Sequence, residues 1–572
     1  MLLSNLDLLA TAPGGVARLR ELILTLAVQG KLVPQDPADE PAGELLRRVA
    51  TQKVTRSTKA TRAEDETAAS AAPYELPQNW AWTRLGEVVE NMGSGWSPAC
   101  EEGERTDPTK WAVLRTTAVQ LNEYRPREHK VIPSKFTPRP EIEVKNGDVL
   151  ITRAGPLNRV GVSCWVTDTP PRLMLSDKIV RFHAVADEML PAFIVLTLNA
   201  GWTKTQIESA KTGMAASQVN ISQTDLKALW LPVCSKAEQS RIVTRVEELM
   251  RLCDALEAKG RLEATQHAQL VSTLLGALTA SATPDELAAN WQRVAQHFDL
   301  LAGRPEAIAA LEQSLLQLAV RGLLVPQDPQ DEPASTLLAR IRTEKDHLIA
   351  EGKIKRDKPL PPITDEEKPF ALPVGWEWVH LSDVCLQITD GTHQTPKYTP
   401  TGRPFLSAKN VKPFRFMPFP HRFISEEDFY LLRKGRIPAV GDVLMTRVGA
   451  MIGEAAEIDV DIEFAFYVSL ALLSLPTPFL VPKFLVMWLN SPFGTANSVE
   501  KTLGRGVSAG NLNLSFIRSF SIPLPPLAEQ TRIVTRVTAL RRLCADLRQR
   551  LADAQTIQSH LAQALVDSTS SV

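Results

Sequence analysis

Two short stretches of the chain carry apolar residues at helical spacing and end at a glycine. Residues 16–26 and 308–318 place apolar side chains at steps of three and four, and Gly30 and Gly322 follow them. A glycine commonly ends a helix because it adopts the left-handed conformation without steric cost. Each stretch therefore predicts a helical arm.

Two longer stretches alternate apolar steps of four and three, the pattern of a helix that packs along one seam. We expect helices of about 40 residues, roughly 60 Å long at 1.5 Å per residue. The matching seams favour packing of the two helices on each other; the alternative is that each packs on its own domain. The seam positions are Ile242, Val246, Leu249, Cys253 and Leu256 in one helix and Ile533, Val537, Leu540, Cys544, Leu547, Leu551 and Ala554 in the other.

Between its arm and its long helix, each half holds short β-like runs separated by glycine and proline. Residues 148–152 and 442–446 are the clearest predicted strands. The polar spans 51–72 and 343–369 predict linkers. Each half should therefore contain a mixed α+β domain of roughly 155 residues, an ordinary domain size.

The sequence repeats itself along most of its length. Five blocks return in the same order, at offsets of 291 to 296 residues. They begin at Leu26, Leu76, Gly147, Asn220 and Ala237 and return at Leu318, Leu372, Gly441, Asn513 and Ala528. The chain is therefore one unit duplicated. Blocks that serve both copies should be structural, so we expect core positions for Trp80, Trp82, Trp376 and Trp378.

Composition narrows the class of protein. The 572 residues are 44% hydrophobic and 23% charged, which is ordinary for a soluble globular chain. The net charge is −1, so a polyanion would have to be bound by local basic patches. Six scattered cysteines predict free thiols, and no secretory leader is recognisable. We expect a cytoplasmic protein with no membrane partner.

The sequence lacks the motifs of catalysis. It has no G-x-x-x-x-G-K-[ST] phosphate loop, no (N/D)-P-P-(Y/F) tetrapeptide of adenine methyltransferases and no histidine spacing typical of a metal site. The nuclease-like pair Glu143 and Lys145 is replaced by Ile437 and Ala439 in the second copy, which favours a solvated turn. We therefore predict no catalytic residue and no metal.

The stretches that diverge between the copies are the candidates for binding nucleic acid. Residues 391–424 hold six Lys or Arg, interleaved with aromatic residues, and no acid. Basic side chains suit phosphates, and the groups between them can reach bases. The alternative is a basic surface over an aromatic core.

Three further stretches carry weaker signals. Residues 110–130 are basic but include acids, and the loops 211–220 and 501–513 could approach DNA or be plain turns. The predicted DNA-binding residues are Lys110, Arg115, Arg125, Arg127, Lys211, Lys397, Arg403, Lys409, Lys412, Arg415, Arg422, Lys501 and Arg505.

The order of the repeated blocks resembles a known family. L-P-x-x-W, a variable block, an N-(I/L)-S turn and an A-E-Q-x-R-I-V helix, present twice, are similar to the specificity subunit of type I restriction–modification systems. The string L-P-P-L-A-E-Q at 524–530 carries the resemblance most strongly. The first copy departs from it, with L-P-V-C-S-K-A-E-Q at 231–239. The resemblance covers the chain apart from the two linkers.

This resemblance implies an α+β fold. Two target recognition domains of mixed α/β structure would be separated by a pair of long antiparallel, coiled-coil-like helices, related by pseudo-two-fold symmetry. Each domain would recognise one half of a bipartite, asymmetric target in double-stranded DNA. The helices would set the spacer and dock the methyltransferase subunits.

The resemblance also assigns the chemistry to other chains. This chain would be non-catalytic and bind no cofactor. Two modification subunits would use S-adenosylmethionine, and restriction subunits would use ATP and Mg. Two other functions stay open, a protein-binding scaffold and a DNA-binding regulator outside restriction, while the missing motifs disfavour a single-chain restriction–methylation enzyme.

The expected boundaries follow the repeat. They are 1–75 for an N-terminal arm and linker, 76–235 for the first recognition domain, 236–300 for the central long helix, 301–371 for the second arm and linker, 372–526 for the second recognition domain and 527–572 for the C-terminal long helix. No arm follows the last helix. We therefore expect the N-terminal arm to pack beside its end and close the repeat on itself.

Overall fold

The computed structural model describes residues 6–56, 74–100, 103, 105, 107–185, 188–435, 437–449, 451–503 and 510–571. The chain forms two units. The first comprises residues 1–262 and 555–572, and the second comprises residues 263–554.

The first copy of the repeat supplies eight helices and fourteen strands in the part of the chain that the structure describes. The helices are α1 (Leu6–Thr11), α2 (Gly15–Val28), α3 (Ala42–Arg56), α4 (Leu85–Val88), α5 (Pro191–Asn199), α6 (Gly201–Ser209), α7 (Gln223–Ala228) and α8 (Lys236–Ala280). The strands are β1 (Ala81–Arg84), β2 (Val89–Ser94), β3 (Ala112–Leu114), β4 (Val119–Gln120), β5 (Glu123–Tyr124), β6 (His129–Val131), β7 (Val149–Thr152), β8 (Ala154–Gly155), β9 (Ser163–Trp165), β10 (Leu173–Met174), β11 (Ile179–Ala184), β12 (Thr212–Ala215), β13 (Gln218–Asn220) and β14 (Trp230–Val233).

The second copy continues the series over its own described residues. Its helices are α9 (Pro284–Gln296), α10 (Phe298–Leu301), α11 (Pro305–Val320), α12 (Ala334–Ala350), α13 (Leu381–Val384), α14 (Glu426–Arg433), α15 (Pro482–Leu489), α16 (Pro492–Glu500), α17 (Leu514–Arg518) and α18 (Leu527–Ser571). Its strands are β15 (Glu377–His380), β16 (Gln387–Asp390), β17 (Tyr398–Thr399), β18 (Arg403–Leu406), β19 (Val411–Lys412), β20 (Arg415–Phe416), β21 (Arg422–Ile424), β22 (Val443–Thr446), β23 (Ala455–Glu457), β24 (Ala465–Phe466), β25 (Leu470–Ser474) and β26 (Ser521–Leu524).

Each domain is built around a four-stranded antiparallel sheet. The strand order is β2-β11-β7-β9 in the first domain and β16-β25-β22-β23 in the second. The predicted strands β7 and β22 lie inside these sheets, and all their residues are buried. A smaller sheet accompanies each, β10-β3-β6 or β17-β21-β18-β24. The expected mixed α/β domains and two long helices are confirmed, but the central helix, predicted over 236–300, ends at Ala280, and Pro284 begins the separate helix α9.

The main-chain hydrogen bonds correct one register of the repeat. The N–H of Ile221 donates to the carbonyl of Arg153, at 2.9 Å, and the N–H of Leu512 donates to the carbonyl of Arg447, at 2.8 Å. Ile221 therefore matches Leu512, an offset of 291 residues. Asn220 corresponds to Asn511 rather than to the predicted Asn513, because the sequence offers two asparagines two residues apart.

The two long helices are each 45 residues long. In the first unit, the seam residues Ile242, Val246 and Cys253 share a core with Ile23 of the arm helix α2 and Phe193 of α5. The start of this seam thus packs on its own domain and arm, the alternative that the periodicity left open. Apolar spacing identifies a buried stripe but not the surface that buries it.

In the second unit, the start of the long helix also packs on its own domain. Ile533 and Val537 join the core of the second domain. Farther along α18, Leu540, Leu547 and Cys544 share a second core with apolar residues of α11 and with residues 271–278 of α8. The helix therefore changes partners along its length, from its domain to other helices.

The N-terminal arm packs on the end of the last helix, as expected. Leu9 and Leu22 share a small core with Ala562 and Val566 of α18. The guanidinium of Arg18 donates to the carbonyl of Ser559, at 3.2 Å, and to its hydroxyl, at 2.9 Å. The last turns of α18 thereby complete the first unit of the molecule.

The predicted linkers begin as helix. Residues 51–56 belong to α3 and residues 343–350 to α12, and residues 57–73 lie outside the described part of the chain. The ammonium of Lys53 donates to the carbonyls of Gly86 and Val89, and that of Lys345 to the carbonyl of Ser382. The polar composition of these spans predicted linkers instead of helices, because only a narrow face of each helix is buried.

A buried carboxylate joins arm, domain and long helix in the first unit. Oε1 of Glu238, at the start of α8, accepts from Nε1 of Trp80, at 3.1 Å, and from Nε2 of Gln35 in the arm, at 2.6 Å. Gln239 donates to the Cys234 carbonyl and accepts from the N–H of Leu190, at 2.9 Å. The repeated blocks are therefore parts of one joint.

The second unit repeats this joint. Oε2 of Glu529 accepts from Nε1 of Trp376 at 2.9 Å, and Gln530 accepts from the N–H of Val481 at 2.9 Å. Trp80 and Trp376 are 7% and 6% exposed, which confirms their expected core positions, whereas Trp82 and Trp378 are only partly buried. Gly322, with a φ of +72°, leaves no room for a Cβ beside the Trp376 ring, and Gly30 is constrained likewise beside Trp80.

Burial makes the joint sensitive to pH. It raises the pKa of Glu238 and of Glu529 above the ordinary value, although the tryptophan and glutamine donors act in the opposite direction. A carboxyl with a raised pKa in the folded state contributes stability at low pH that is lost as pH rises through that pKa.

We therefore expect Glu529→Gln to become more stable relative to the wild type as pH rises from about 5 to about 8, because the amide keeps an acceptor without a buried charge. Thermal unfolding midpoints at both pH values measure the difference. Glu366→Gln, at an exposed site, is the matched control and should show no such trend. A difference for Glu529→Gln that does not change with pH would contradict this interpretation.

Candidate nucleic-acid interface

The basic stretch of the second domain forms the sheet β17-β21-β18-β24 and the hairpin β19–β20, with a 3-10 turn at Ala408–Asn410. Phe405 and Phe416 are buried in the core of this lobe. Tyr398 and Phe419 are exposed, Phe419 by 65%. The aromatic-core alternative therefore holds for part of the stretch, and DNA binding by the exposed part stays a prediction.

Besides Lys412, which is described below, four of the predicted cations of this domain are exposed. Lys397 precedes β17, Lys409 lies in the 3-10 turn, Arg415 begins β20 and Arg422 begins β21. The guanidinium of Arg422 lies over the Tyr398 ring, 4.3 Å from its centroid. These side chains form the basic face of the second domain.

Other predicted cations are already neutralised within the domain. Arg403 bonds the carboxylates of Glu426, at 2.7 Å, and Glu463, at 3.2 Å. Lys412 lies 3.7 Å from the carboxylate of Glu454. Arg403 and Lys412 therefore have ion-pair partners within the domain, and their contacts with DNA stay predictions.

The two predictions in the 501–513 loop have different outcomes. Lys501 is half-buried, and its ammonium lies 5.6 Å from the centroid of the Phe520 ring. Arg505 lies outside the described residues.

In the first domain, Lys110 and Arg127 are exposed. Arg125 is also exposed, but it bonds the carboxylate of Glu123 at 2.7 Å. The Lys211 side chain is only 4% exposed and bonds Glu208 at 2.7 Å. Its contact with DNA stays a prediction. The hydrocarbon part of a lysine side chain can be buried along apolar surface, and the sequence alone does not show whether it is buried.

The first domain carries a groove of about 660 Å³. Arg115, Lys130 and Lys178 line it together with Glu128 and with hydroxyls that include Ser97 and Ser176. The buried Ser176 Oγ finds no hydrogen-bond partner among the described residues. Of the three cations, only Arg115 was predicted as a DNA-binding residue.

The repeat contains a signal for Lys130. His129 contacts the carbonyl of Pro126 through Nδ1 at 2.8 Å, and His421 contacts the carbonyl of Pro418 in the same way at 2.7 Å. An offset of 292 residues therefore pairs Lys130 with Arg422. A basic residue stands at this strand position in both copies.

The described residues offer no alternative chemistry at these surfaces. They contain no cluster of His, Cys, Asp and Glu side chains that could hold a metal ion. Glu143 of the nuclease-like fragment accepts the main-chain N–H of Arg172, so it has a structural role. Over the same residues, no helix is both long and apolar enough to cross a membrane.

Comparison with known proteins identifies the family of the chain. Residues 373–554 match the family model described as the type I restriction modification DNA specificity domain. The chain is 34% identical over 576 residues to the type I restriction enzyme EcoAI specificity subunit of Escherichia coli, covering 97% of this chain and 93% of that protein. It is 32% identical over 577 residues to the EcoEI specificity subunit of Escherichia coli, with the same coverage.

A solved chain from work on complex assembly of the type I R-M system aligns with 87% of this chain and 99% of its own length, at 19% identity and a TM-score of 0.48. On the sequence comparisons, the chain belongs to the specificity subunits of type I restriction enzymes. It is thus a DNA-recognition subunit and not a catalytic one.

The exposed cations of the second domain can be tested one by one. We expect Lys409→Ala and Arg415→Ala each to weaken DNA binding and to lower the slope of log K against log salt by about one, since each variant removes a cation that would bind a phosphate. Lys412→Ala, on the same hairpin but paired with Glu454, is the matched control and should change the slope less. Fluorescence anisotropy over a salt series measures this, and unchanged slopes for the first two variants would move the binding surface elsewhere.

Proposed function

We propose that each of the two domains recognises one half of a bipartite, asymmetric target in double-stranded DNA. The observation that carries this proposal is the contrast between the copies. The two copies share the buried joint and the four-stranded central sheet, but they carry different exposed cations. The same fold therefore presents two surfaces of different chemistry. Residues 76–235 and 372–526 are the proposed recognition domains.

The long helices have two proposed roles. They set the number of base pairs between the half-sites, and they dock two modification subunits. The exposed apolar side chains on α8 and α18, among them Leu252, Leu262, Leu543, Ile557 and Leu561, support a protein partner on the helices.

Catalysis belongs, in this proposal, to the partner subunits. The modification subunits use S-adenosylmethionine, and the restriction subunits use ATP and Mg. The local basic patches on a chain of net charge −1 fit a clamp whose remaining positive surface comes from those partners.

Exchange of one domain tests the proposal. Replacing residues 372–525 with the corresponding residues of a related subunit should change one half of the target and leave the other half intact, because β15 and β26 pair and bring the domain's ends together. Methylome sequencing of a host that carries the modification subunits gives the target directly. A control exchange of residues 76–235 should change the opposite half.

The outcomes separate the competing functions. A change in both halves after one exchange would show that the domains do not recognise DNA independently. If the wild-type complex leaves no methylation pattern and binds no duplex in a gel shift, the chain is a protein-binding scaffold. DNA binding by the chain without methylation would instead favour a regulator outside restriction.

The helices can be tested separately from the domains. Inserting seven residues, about two helical turns or 10 Å, after Leu256 should lengthen the spacer by about three base pairs at 3.4 Å each. The bases recognised should not change, since both domains keep their own sequence. The methylome of the insertion strain measures both quantities, and an unchanged spacer in an active complex would contradict the proposed role.

A further inference from the structure

Arg153 and Arg447 occupy the same place in the two copies. Each follows the buried central strand of its sheet, and each donates its main-chain N–H to a carbonyl of the adjacent chain segment, that of Lys178 at 2.8 Å or that of Ser469 at 2.9 Å. Lys178 and Ser469 are 291 residues apart, the offset of the corrected register. The backbone is therefore equivalent, and differences between the two arginines come from their side-chain surroundings.

Arg447 is bonded within the second domain on every side. Its Nη1 lies 2.6 Å from Oδ2 of Asp390, Nε donates to the carbonyl of Leu512 at 2.9 Å, and Nη2 donates to Oδ1 of Asn511 at 3.1 Å. The residue is 5% exposed. Arg447 thus neutralises Asp390 and ties the end of the 501–513 loop to the sheet.

The first domain lacks the acid. Asp390 stands opposite Ala471 in the pairing of β16 with β25, and Ser94 stands opposite Val180 in the pairing of β2 with β11. Val180 and Ala471 are again 291 residues apart, so Ser94 replaces Asp390. A serine hydroxyl cannot neutralise a guanidinium.

The Arg153 side chain is accordingly without an acid or an acceptor among the described residues. Its Nε is buried there with no hydrogen-bond partner. A buried donor without an acceptor costs free energy, and a guanidinium carries its charge at all accessible pH values. The residue as a whole is only partly buried, so a ligand that supplies acceptor oxygens would reach its terminal amino groups rather than Nε.

The neighbouring surface can admit such a ligand. The strand β8 immediately after Arg153 pairs with β13, which forms a hairpin with β12. Residues 212–220 contain no acid, and most of the hairpin is exposed. Lys178, whose carbonyl accepts from the Arg153 N–H, is also exposed. The acid next to Lys178 in the chain, Asp177, accepts a hydrogen bond from the Ser97 hydroxyl.

We propose that Arg153 is a DNA-contacting residue of the first domain, and that DNA supplies the acceptor that Asp390 supplies to Arg447. The planar guanidinium would donate to phosphate oxygens or to the acceptor edge of a guanine, both of which suit its geometry. This inference rests on the proposed function, in which the domain binds double-stranded DNA. The same repeated arginine then serves structure in one copy and recognition in the other.

Two variants of the full chain, each in complex with the modification subunits, test the inference. The probe is a duplex that contains the target found by methylome sequencing. Arg153→Ala should weaken binding about tenfold. Ser94→Asp should weaken it similarly while retaining the arginine, because the new carboxylate would hold Arg153 as Asp390 holds Arg447. The thermal midpoint of Ser94→Asp should not fall, and Lys353→Ala, an exposed cation outside both domains, is the control with unchanged affinity.

The two kinds of DNA acceptor give different results. If Arg153 binds a phosphate, Arg153→Ala lowers the salt slope by about one for every sequence, whereas if it binds a guanine, the variant relaxes one position of one half-site. Wild-type affinity in both variants would overturn the inference and leave the proposed function standing. So would weak binding by Arg153→Ala that comes with a lower thermal midpoint while Ser94→Asp binds normally. If the wild-type complex binds no target duplex, the proposed function fails and the inference fails with it.

Discussion

The buried carboxylate at the start of each long helix is the constraint on which the rest of each unit depends. Glu238 and Glu529 accept hydrogen bonds from a tryptophan at the domain entrance, and Glu238 also accepts one from a glutamine of the arm. Removing a partner would leave a buried charge without compensation, which is costly. Three segments far apart in sequence are thereby held in one geometry, which fixes the direction in which the helix leaves the domain.

Near this shared joint, the ion pair between the arm and the long helix has opposite polarity in the two copies. In the first unit, Arg20 of α2 bonds Asp254 of α8 at 2.6 Å. In the second unit, Glu312 of α11 stands in the place of Arg20 and bonds Arg541 and Arg548 of α18, at 2.6 and 2.7 Å. If the charged stretches were exchanged, Arg20 would face Arg541 and Arg548, and Glu312 would face Asp254, so like charges would meet. The exchanged signs therefore favour pairing of each arm with its own helix.

The sequence predicted the repeated elements of the fold, but it did not predict which cations form ion pairs within the chain. Duplication, arms, long helices and the core tryptophans follow from spacing and identity alone. The exposure and pairing of each cation do not. Lys211 bonds Glu208, three residues earlier in the chain, and Arg403 bonds Glu426 from another segment. Helices α3 and α12 extend into spans predicted as linkers, since few of their residues are buried. Lys130 is equivalent to Arg422, which becomes clear only from the matching hydrogen bonds of His129 and His421.

The divergence of the domains follows from how the fold distributes its stability. The joint and central sheets bury the repeated residues, so substitutions there cost packing or leave a polar group unpaired. The hairpins and small sheets contribute exposed side chains, where most substitutions cost little. Phe414 illustrates the freedom: it adopts a φ of +63° at a hairpin tip where the first copy has Asn122, and its ring lies under Arg541 of the long helix, 3.5 Å away. A frame that tolerates such changes at its edges can acquire a new binding surface without altering the direction of its helix.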